Sequence, residues 1–139
     1  MSTWIHHLSF CSVADEGATT SARSYLLGNS SKDLTYNFVA DSRQRLTELL
    51  ILFQSGQLKP LSFFPNAAFG YCEEKLKGKT VTKCLDKARL KWLGNEYSVG
   101  EYKDADFDYC FGRLNPINEE FVRLAEQIVE PLLNSESEA

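Results

Sequence analysis

Two adjacent phenylalanines held between two prolines constrain the fold of this chain more than any other local feature. The segment PLSFFP runs from Pro60 to Pro65 and contains Phe63 and Phe64. Each proline disfavours helical geometry at the residue before it, so we expect a stiff, extended connector. Burying one phenylalanine is worth about 1.5–3 kcal/mol, so the pair should pack against other parts of a protein. Because neighbouring side chains on an extended segment face opposite ways, we expect one ring to point into the domain and the other toward a partner.

The composition is that of a single globular domain. The chain has 139 residues, of which 43% are hydrophobic and 24% are charged, and these values are ordinary for a soluble protein. We predict one domain over residues 1–133 and a disordered acidic tail at 134–139. The longest apolar run, Leu49 to Phe53, is too short to span a bilayer. The N-terminal residues lack the layout of a signal peptide, so we expect a cytoplasmic protein without membrane contacts.

Cysteines and histidines form no pattern that indicates a metal or redox site. His6 and His7 are adjacent, so on a helix they point about 100° apart and cannot chelate one ion as an i, i+4 pair would. The four cysteines are widely spaced without a CxxC pair, and we expect buried, reduced thiols. They are Cys11, Cys72, Cys84 and Cys110.

Hydrophobic periodicity predicts an α+β protein that is dominated by helix and has a small β-sheet. Two strands at 23–27 and 34–39 should form a hairpin around the polar segment 28–33. Short strands are also expected near Tyr97 and Tyr109. Helices are expected at residues 3–11, 41–55, 66–75, 80–93 and from Asn115-Pro116 to 133.

The helix at 41–55 has the clearest signals at its two ends. Asp41 is predicted to cap it, with Gln44 three residues later as in a capping box. Gly56 is predicted to end it, and Asn66 should cap the next, shorter helix. The stripe that we expect to face the core consists of Leu46, Leu49, Leu50 and Phe53.

Positive charge is concentrated in one part of the chain. The net charge is −4, yet residues 75–91 contain seven basic residues against the single acid Asp86. Four lysines recur every fourth residue and so lie along one helix side. Such a row could bind DNA phosphates, and the alternative is a solvated face opposite the core. The row consists of Lys79, Lys83, Lys87 and Lys91.

An acidic stretch contains a weak match to a nuclease signature. Glu101-Tyr102-Lys103 has the E-x-K spacing with which metal-dependent nucleases place a carboxylate and a lysine at the attacked phosphate. The alternative is a solvated acidic loop, which needs no catalytic role. We therefore expect no catalytic residue, no cofactor and no metal. The acids of this stretch are Glu96, Glu101, Asp104, Asp106 and Asp108.

Several segments together, in order and spacing, resemble one known family. They are TWIHHLSFC (3–11), YNFVADSRQRLTELLILFQSGQLKP (36–60), PLSFFPNAAFGY (60–71), WLGNEYSVGEYKDADFDYCFGR (92–113) and NPINEEFVRLAEQIVEPLL (115–133). This order resembles the C-terminal domain of RecC, the gamma subunit of exodeoxyribonuclease V, the RecBCD complex. The resemblance implies a degenerate fold that is related to the PD-(D/E)xK nucleases but lacks their active site.

The resemblance also implies a structural role in double-strand-break repair and homologous recombination. The domain would scaffold the RecB and RecD subunits and help to guide DNA, with no small-molecule ligand. On this interpretation Phe63 and Phe64 are a candidate subunit interface, since exposed apolar patches mark such contacts. Two alternatives stay open: a small Mg²⁺-dependent nuclease that uses Glu101 and Lys103, and a stand-alone DNA-binding module that uses the lysine row.

Overall fold

The computed structural model describes residues 2–14, 24–26, 34–112 and 115–138, and within them helix dominates. This confirms the predicted helix-dominated fold with a small antiparallel sheet. The helices are Ser2–Val13 (α1), Ser42–Gly56 (α2), Pro65–Leu76 (α3), Val81–Leu93 (α4), Ala105–Phe111 (α5), Glu119–Ile128 (α6) and Glu130–Ser135 (α7). The strands are Ser24–Leu26 (β1), Leu34–Tyr36 (β2), Gly94–Asn95 (β3), Ser98–Val99 (β4) and Glu136–Glu138 (β5), and Glu101–Lys103 is a 3-10 turn.

The chain divides into two compact units. Unit 1 comprises residues 1–57 together with 134–139, and unit 2 comprises residues 58–133. The single domain over residues 1–133 stays a prediction.

Unit 1 contains a three-stranded sheet in the order β1-β2-β5. The predicted hairpin is confirmed, because β1 and β2 pair antiparallel with Tyr25 opposite Thr35, while its connection at 28–33 lies outside the described residues. The acidic tail was predicted to be disordered, but Glu136–Glu138 forms a strand whose Ser137 lies opposite Thr35. The physical reason is that a two-stranded hairpin leaves an open edge of backbone donors and acceptors, which a further strand can pair.

Helix α1 places a small aromatic core against β2. Trp4 and His7 are buried, and their rings lie 5.6 and 5.5 Å from the ring of Tyr36. His7 Nε2 donates to the carbonyl oxygen of Asn37 at 2.8 Å, and Nδ1 lies 2.8 Å from the hydroxyl of Ser24. Both ring nitrogens are thus used in the core, which supports a structural histidine.

Helix α2 forms where it was predicted, but only part of its predicted core stripe is shielded from solvent. Leu50 and Phe53 are 63% and 65% exposed, and Ile51 is 55% exposed. Within this helix the buried residue is Ser42. The stripe prediction was therefore wrong for Leu50 and Phe53, because an apolar stripe has the same periodicity whether it faces a core or solvent.

The predicted capping box at the start of α2 is also wrong. Asp41 has φ −90° and ψ 21° and makes no capping hydrogen bond. Its carboxylate instead pairs with the guanidinium of Arg45 one turn later, at 2.8 Å. The side chain of Gln44 donates to Glu48 at 2.9 Å. An N-cap normally needs extended geometry to turn its side chain back to the first amides, and Asp41 lacks that geometry.

Unit 2 is built around Phe64. This side chain is fully buried, and its ring centroid lies 4.3 Å from that of Trp92 and 5.1 Å from those of Phe107 and Phe111. Phe63 is half-buried and packs against the same core. The expectation that one ring points inward is confirmed for Phe64, and Phe64 is corrected from a candidate interface residue to a core residue.

Two further predictions in unit 2 are corrected. Tyr109 lies in α5 and not in a strand. The helix that was expected from residue 115 to 133 is divided into α6 and α7, and α6 begins at Glu119 after Asn118, whose side chain accepts from the backbone N–H of Phe121 at 3.0 Å. The expected start at Asn115 is instead a turn, because the side chain of Asn115 accepts from the amide of Ile117.

The thiols follow the packing of their helices. Cys11, Cys72 and Cys84 are buried, as predicted, but Cys110 is exposed. Helix α5 packs Phe107 and Phe111 against the core, whereas Cys110 remains accessible to solvent. Among the described residues, no helix is long and apolar enough to cross a membrane.

Candidate functional site

Four lysines form the most distinctive charged surface in unit 2, which we call the lysine face. Lys83, Lys87 and Lys91 lie on α4, and Lys79 precedes its N-cap Thr80. Lys87 is half-buried and the other three lysines are exposed. The row predicted from the sequence is therefore present as a surface.

The lysine face lacks the ion pairs that several other basic residues of unit 2 form. Within the part of the chain that the structure describes, no salt bridge reaches these four lysines. By contrast, Lys59 pairs with Glu120 at 3.0 Å and Lys77 with Glu74 at 2.8 Å. The positive charge of the lysine face is thus not neutralised by direct pairing with described residues.

Glu74 and Glu101 interact electrostatically with the lysine face, but both are already hydrogen-bonded to other groups. Glu74 accepts from Lys77 at 2.8 Å, and this hydrogen bond, with smaller contributions from the charges of Lys87 and Lys79, lowers the pKa of its carboxyl. Glu101 interacts electrostatically with Lys91 but is hydrogen-bonded elsewhere. The chain therefore leaves the ammonium groups available to an external anion.

Glu101 caps helix α3 across a long separation in sequence. One carboxylate oxygen accepts from the backbone N–H of Asn66 and the other from that of Ala67, both at 2.8 Å. The N-cap position is Phe64, which has no side-chain acceptor, and Pro65 follows it in the first turn. The prediction that Asn66 caps this helix was wrong, since Asn66 is already inside it. A negative group is favoured there because a helix N-terminus has unpaired amides and a positive dipole end.

The environment of Glu101 disfavours its charged form overall. Burial raises the pKa of Glu101, while the two backbone hydrogen bonds and the charge of Lys91 lower it. The nearby carboxylate of Asp104 raises it further, and the balance lies above the ordinary value. Glu101 is thus a structural carboxylate held in a partly dry site.

The geometry gives little support to a nuclease site at Glu101 and Lys103. Glu101–Lys103 is a 3-10 turn, so the two side chains do not project from one strand face. Both oxygens of Glu101 are occupied, and Asp104 caps α5 by accepting from the amide of Asp106 at 3.0 Å. In the described ranges no cluster of three or more His, Cys, Asp or Glu side chains could hold a metal ion. Two of the acids for which a solvated loop was the alternative, Glu101 and Asp104, therefore cap helices.

Helix α2 carries exposed apolar side chains in unit 1. Leu50, Ile51 and Phe53 are more than half exposed, and we call them the α2 apolar face. Sequence reasoning missed this surface because it assigned Leu50 and Phe53 to a core. The available signal was the length of the apolar run from Leu49 to Phe53, which covers more of the helix circumference than a single core stripe needs.

The comparisons with known proteins give one informative match. The family model of the RecC C-terminal domain matches residues 1–76, which is more than half of the 139-residue chain. The match includes the α2 apolar face and the PLSFFP connector, and it ends before the lysine face. No curated protein matches the sequence. The resemblance at residues 92–133 stays a prediction. The chain belongs to the RecC C-terminal domain family.

Proposed function

We propose that this chain is a non-catalytic interaction domain of the RecBCD helicase–nuclease, which acts in double-strand-break repair and homologous recombination. The observation that carries the proposal is the match to the RecC C-terminal domain over residues 1–76. In this role the domain scaffolds the RecB and RecD subunits in the cytoplasm and has no enzymatic activity of its own. The occupied carboxylate of Glu101 supports a domain without a working nuclease site at this position.

The α2 apolar face is the surface best suited to a subunit contact. Leu50, Ile51 and Phe53 remain exposed on one helix of the matched region. Exposed apolar groups that cluster on a soluble protein commonly mark an interface. Phe64 cannot serve as such a contact in the folded chain because it is fully buried. Phe63 retains partial exposure and stays a candidate.

Co-purification with RecB and RecD tests this proposal. The double variant Leu50→Ser/Phe53→Ser should lose subunit binding and keep its melting temperature, since both side chains are already exposed. Val81→Ser is a matched control, because Val81 is 63% exposed on α4 and outside the family match. Undiminished binding of the double variant would reject the α2 apolar face as the contact. Failure of the unaltered chain to bind either subunit would reject the proposed function itself.

A contact with DNA through the lysine face is the second candidate, favoured by four lysines that form no ion pair with any described residue. Binding by lysines to phosphates releases counterions, so affinity for duplex DNA should fall steeply as salt rises. Replacing Lys79 and Lys83 by Gln should weaken binding. Replacing Lys59 and Lys77, which are engaged in ion pairs, should change it less. An affinity that does not respond to salt would remove this candidate.

A further inference from the structure

The stems of two lysines of the lysine face lie against a glycine in helix α3. Gly70 is buried in the middle of that helix. A Cβ atom at this position would lie 3.2 Å from Cγ of Lys91 and 3.4 Å from Cγ of Lys87. Both distances are at or inside ordinary van der Waals contact. The aliphatic stems of these two lysines therefore cross α3 at the one place in that turn where the side chain is absent.

A glycine inside a helix has an energetic cost. It destabilises a helix interior by about 0.5–1 kcal/mol relative to alanine, because the unfolded chain has more freedom to lose. No unusual backbone angle requires glycine here, since the positive-φ glycines in the described residues are Gly78, Gly94 and Gly112. What the absent side chain provides at Gly70 is room for Lys87 and Lys91.

The arrangement of the lysines is itself unfavourable without a partner. Like charges four residues apart on a helix repel each other by about 0.2–0.5 kcal/mol per pair. Glu74 interacts electrostatically with Lys87 and Glu101 with Lys91, but both acids are bound to other groups, Glu74 to Lys77 and Glu101 to the start of α3. An external anion would remove this repulsion.

We propose that Gly70 is a positioning residue that seats the stems of Lys87 and Lys91, so that their ammonium groups align with the other lysines of the face toward the phosphates of duplex nucleic acid. The inference rests on the second candidate function above. Lysine is a point-charge donor suited to phosphate oxygens, and contacts of this kind position a protein on a duplex without reading its bases. An acidic protein segment is the competing occupant.

The shape of the face favours nucleic acid over an acidic segment. Lysines four residues apart on α4 are separated by about 6 Å along the helix axis and by about 40° around it, so the three helical lysines form a gradually turning row about 12 Å long. A phosphate backbone offers regularly spaced negative charge along such a row.

The variant Gly70→Ala tests the inference in the whole chain. A labelled DNA duplex is titrated at several salt concentrations, and the slope of log K against log salt counts phosphate contacts at about 0.9 each. The variant should lower that slope by up to about 1, corresponding to one displaced lysine, because Cγ of Lys91 is the stem atom that lies inside ordinary contact distance. Its melting temperature should be unchanged or higher, which separates positioning from loss of fold. Gly56→Ala, at the exposed end of α2, is the matched control and should leave the slope unchanged.

Coupling between residues makes the test specific. In a chain that already has Lys87→Gln and Lys91→Gln, the change Gly70→Ala should have no further effect on duplex binding. A second measurement needs no variant at Gly70: in the unaltered protein, the ammonium NMR signals of Lys87 and Lys91 should shift when duplex is added.

Each negative outcome overturns a different statement. If the unaltered chain does not bind duplex, the DNA candidate and this inference both fail. If it binds duplex and Gly70→Ala binds with the same slope, the role of Gly70 is rejected while DNA binding stands. If polyglutamate competes away the duplex at equal charge and binds more tightly, the occupant is an acidic protein segment and not nucleic acid.

Discussion

Phe63 and Phe64 should respond very differently to truncation, although they are neighbours of the same type. Phe64 is completely buried and its ring lies within 6.2 Å of four aromatic rings. Removing a fully buried phenylalanine to alanine costs about 3–5 kcal/mol. Phe63 is only half-buried at the edge of that core, so Phe63→Ala should cost less than about 2 kcal/mol.

The assay is equilibrium unfolding in urea, followed by tryptophan fluorescence. Trp92 lies 4.3 Å from the Phe64 ring, so its emission reports directly on this core. A loss of 3–5 kcal/mol is a large part of the roughly 5–15 kcal/mol that keeps a domain folded, and it should lower the melting temperature by roughly 10–20 °C. Phe63→Ala should leave the melting temperature within a few degrees of the original.

Binding measurements complete the comparison between the two rings. If Phe63 faces a subunit, Phe63→Ala should weaken binding to RecB or RecD while its unfolding transition changes little. Equal destabilisation by the two substitutions would refute the assignment of Phe64 to the centre of the core. So would a Phe64→Ala variant that keeps its stability and loses only its partner.

Three further predictions concern unit 2. Glu101→Ala should lower the free energy of unfolding by about 1–2 kcal/mol through loss of the α3 cap. Because the pKa of Glu101 is raised in the folded chain, the stability of the unaltered chain should decline as pH rises through and above the ordinary glutamate pKa, and the variant should lack this decline. Glu96→Ala, at an exposed site, should show neither effect. Burial raises the pKa of Tyr71 to about 12, so the folded chain holds the phenol proton more tightly than the unfolded chain. The free energy of unfolding should therefore fall as pH rises from about 10 toward 12, and Tyr71→Phe should flatten this part of an alkaline unfolding curve. A thiol reagent should modify Cys110 rapidly in the native chain and spare Cys72, which is buried and whose pKa is raised to about 12; fast modification of Cys72 would contradict its packing.

Local pattern was sufficient for most helices and for the hairpin. Helix α4 is recognisable because Cys84, Ala88 and Trp92 repeat at helical spacing and are all buried, and Gly94 ends it with φ 75°. The hairpin of β1 and β2 follows from alternation and a polar connection. In each case the residues that decide the structure are neighbours in sequence, so periodicity contains the information.

What the sequence could not predict depends on groups that are distant in sequence. Glu101 caps a helix that begins at Pro65, and no spacing rule joins residues this far apart. The tail was judged by its acidic composition, yet pairing of Glu136–Glu138 with β2 uses backbone groups that composition does not describe. The exposure of Leu50 and Phe53 could not be read from periodicity, since a helix with an apolar stripe has the same sequence whether its neighbour belongs to its own chain or to another.

The α2 apolar face and the lysine face should be separable in function. The first lies in unit 1 and inside the family match, and the second lies in unit 2 and beyond residue 76. Their chemistry also differs, because apolar contact gains from salt whereas phosphate contact is weakened by it. A substitution on α2 should therefore impair subunit binding at all salt concentrations and leave the salt slope of DNA binding intact. A substitution of the lysines should do the reverse, which makes salt the variable that distinguishes a scaffold from a DNA guide in this domain.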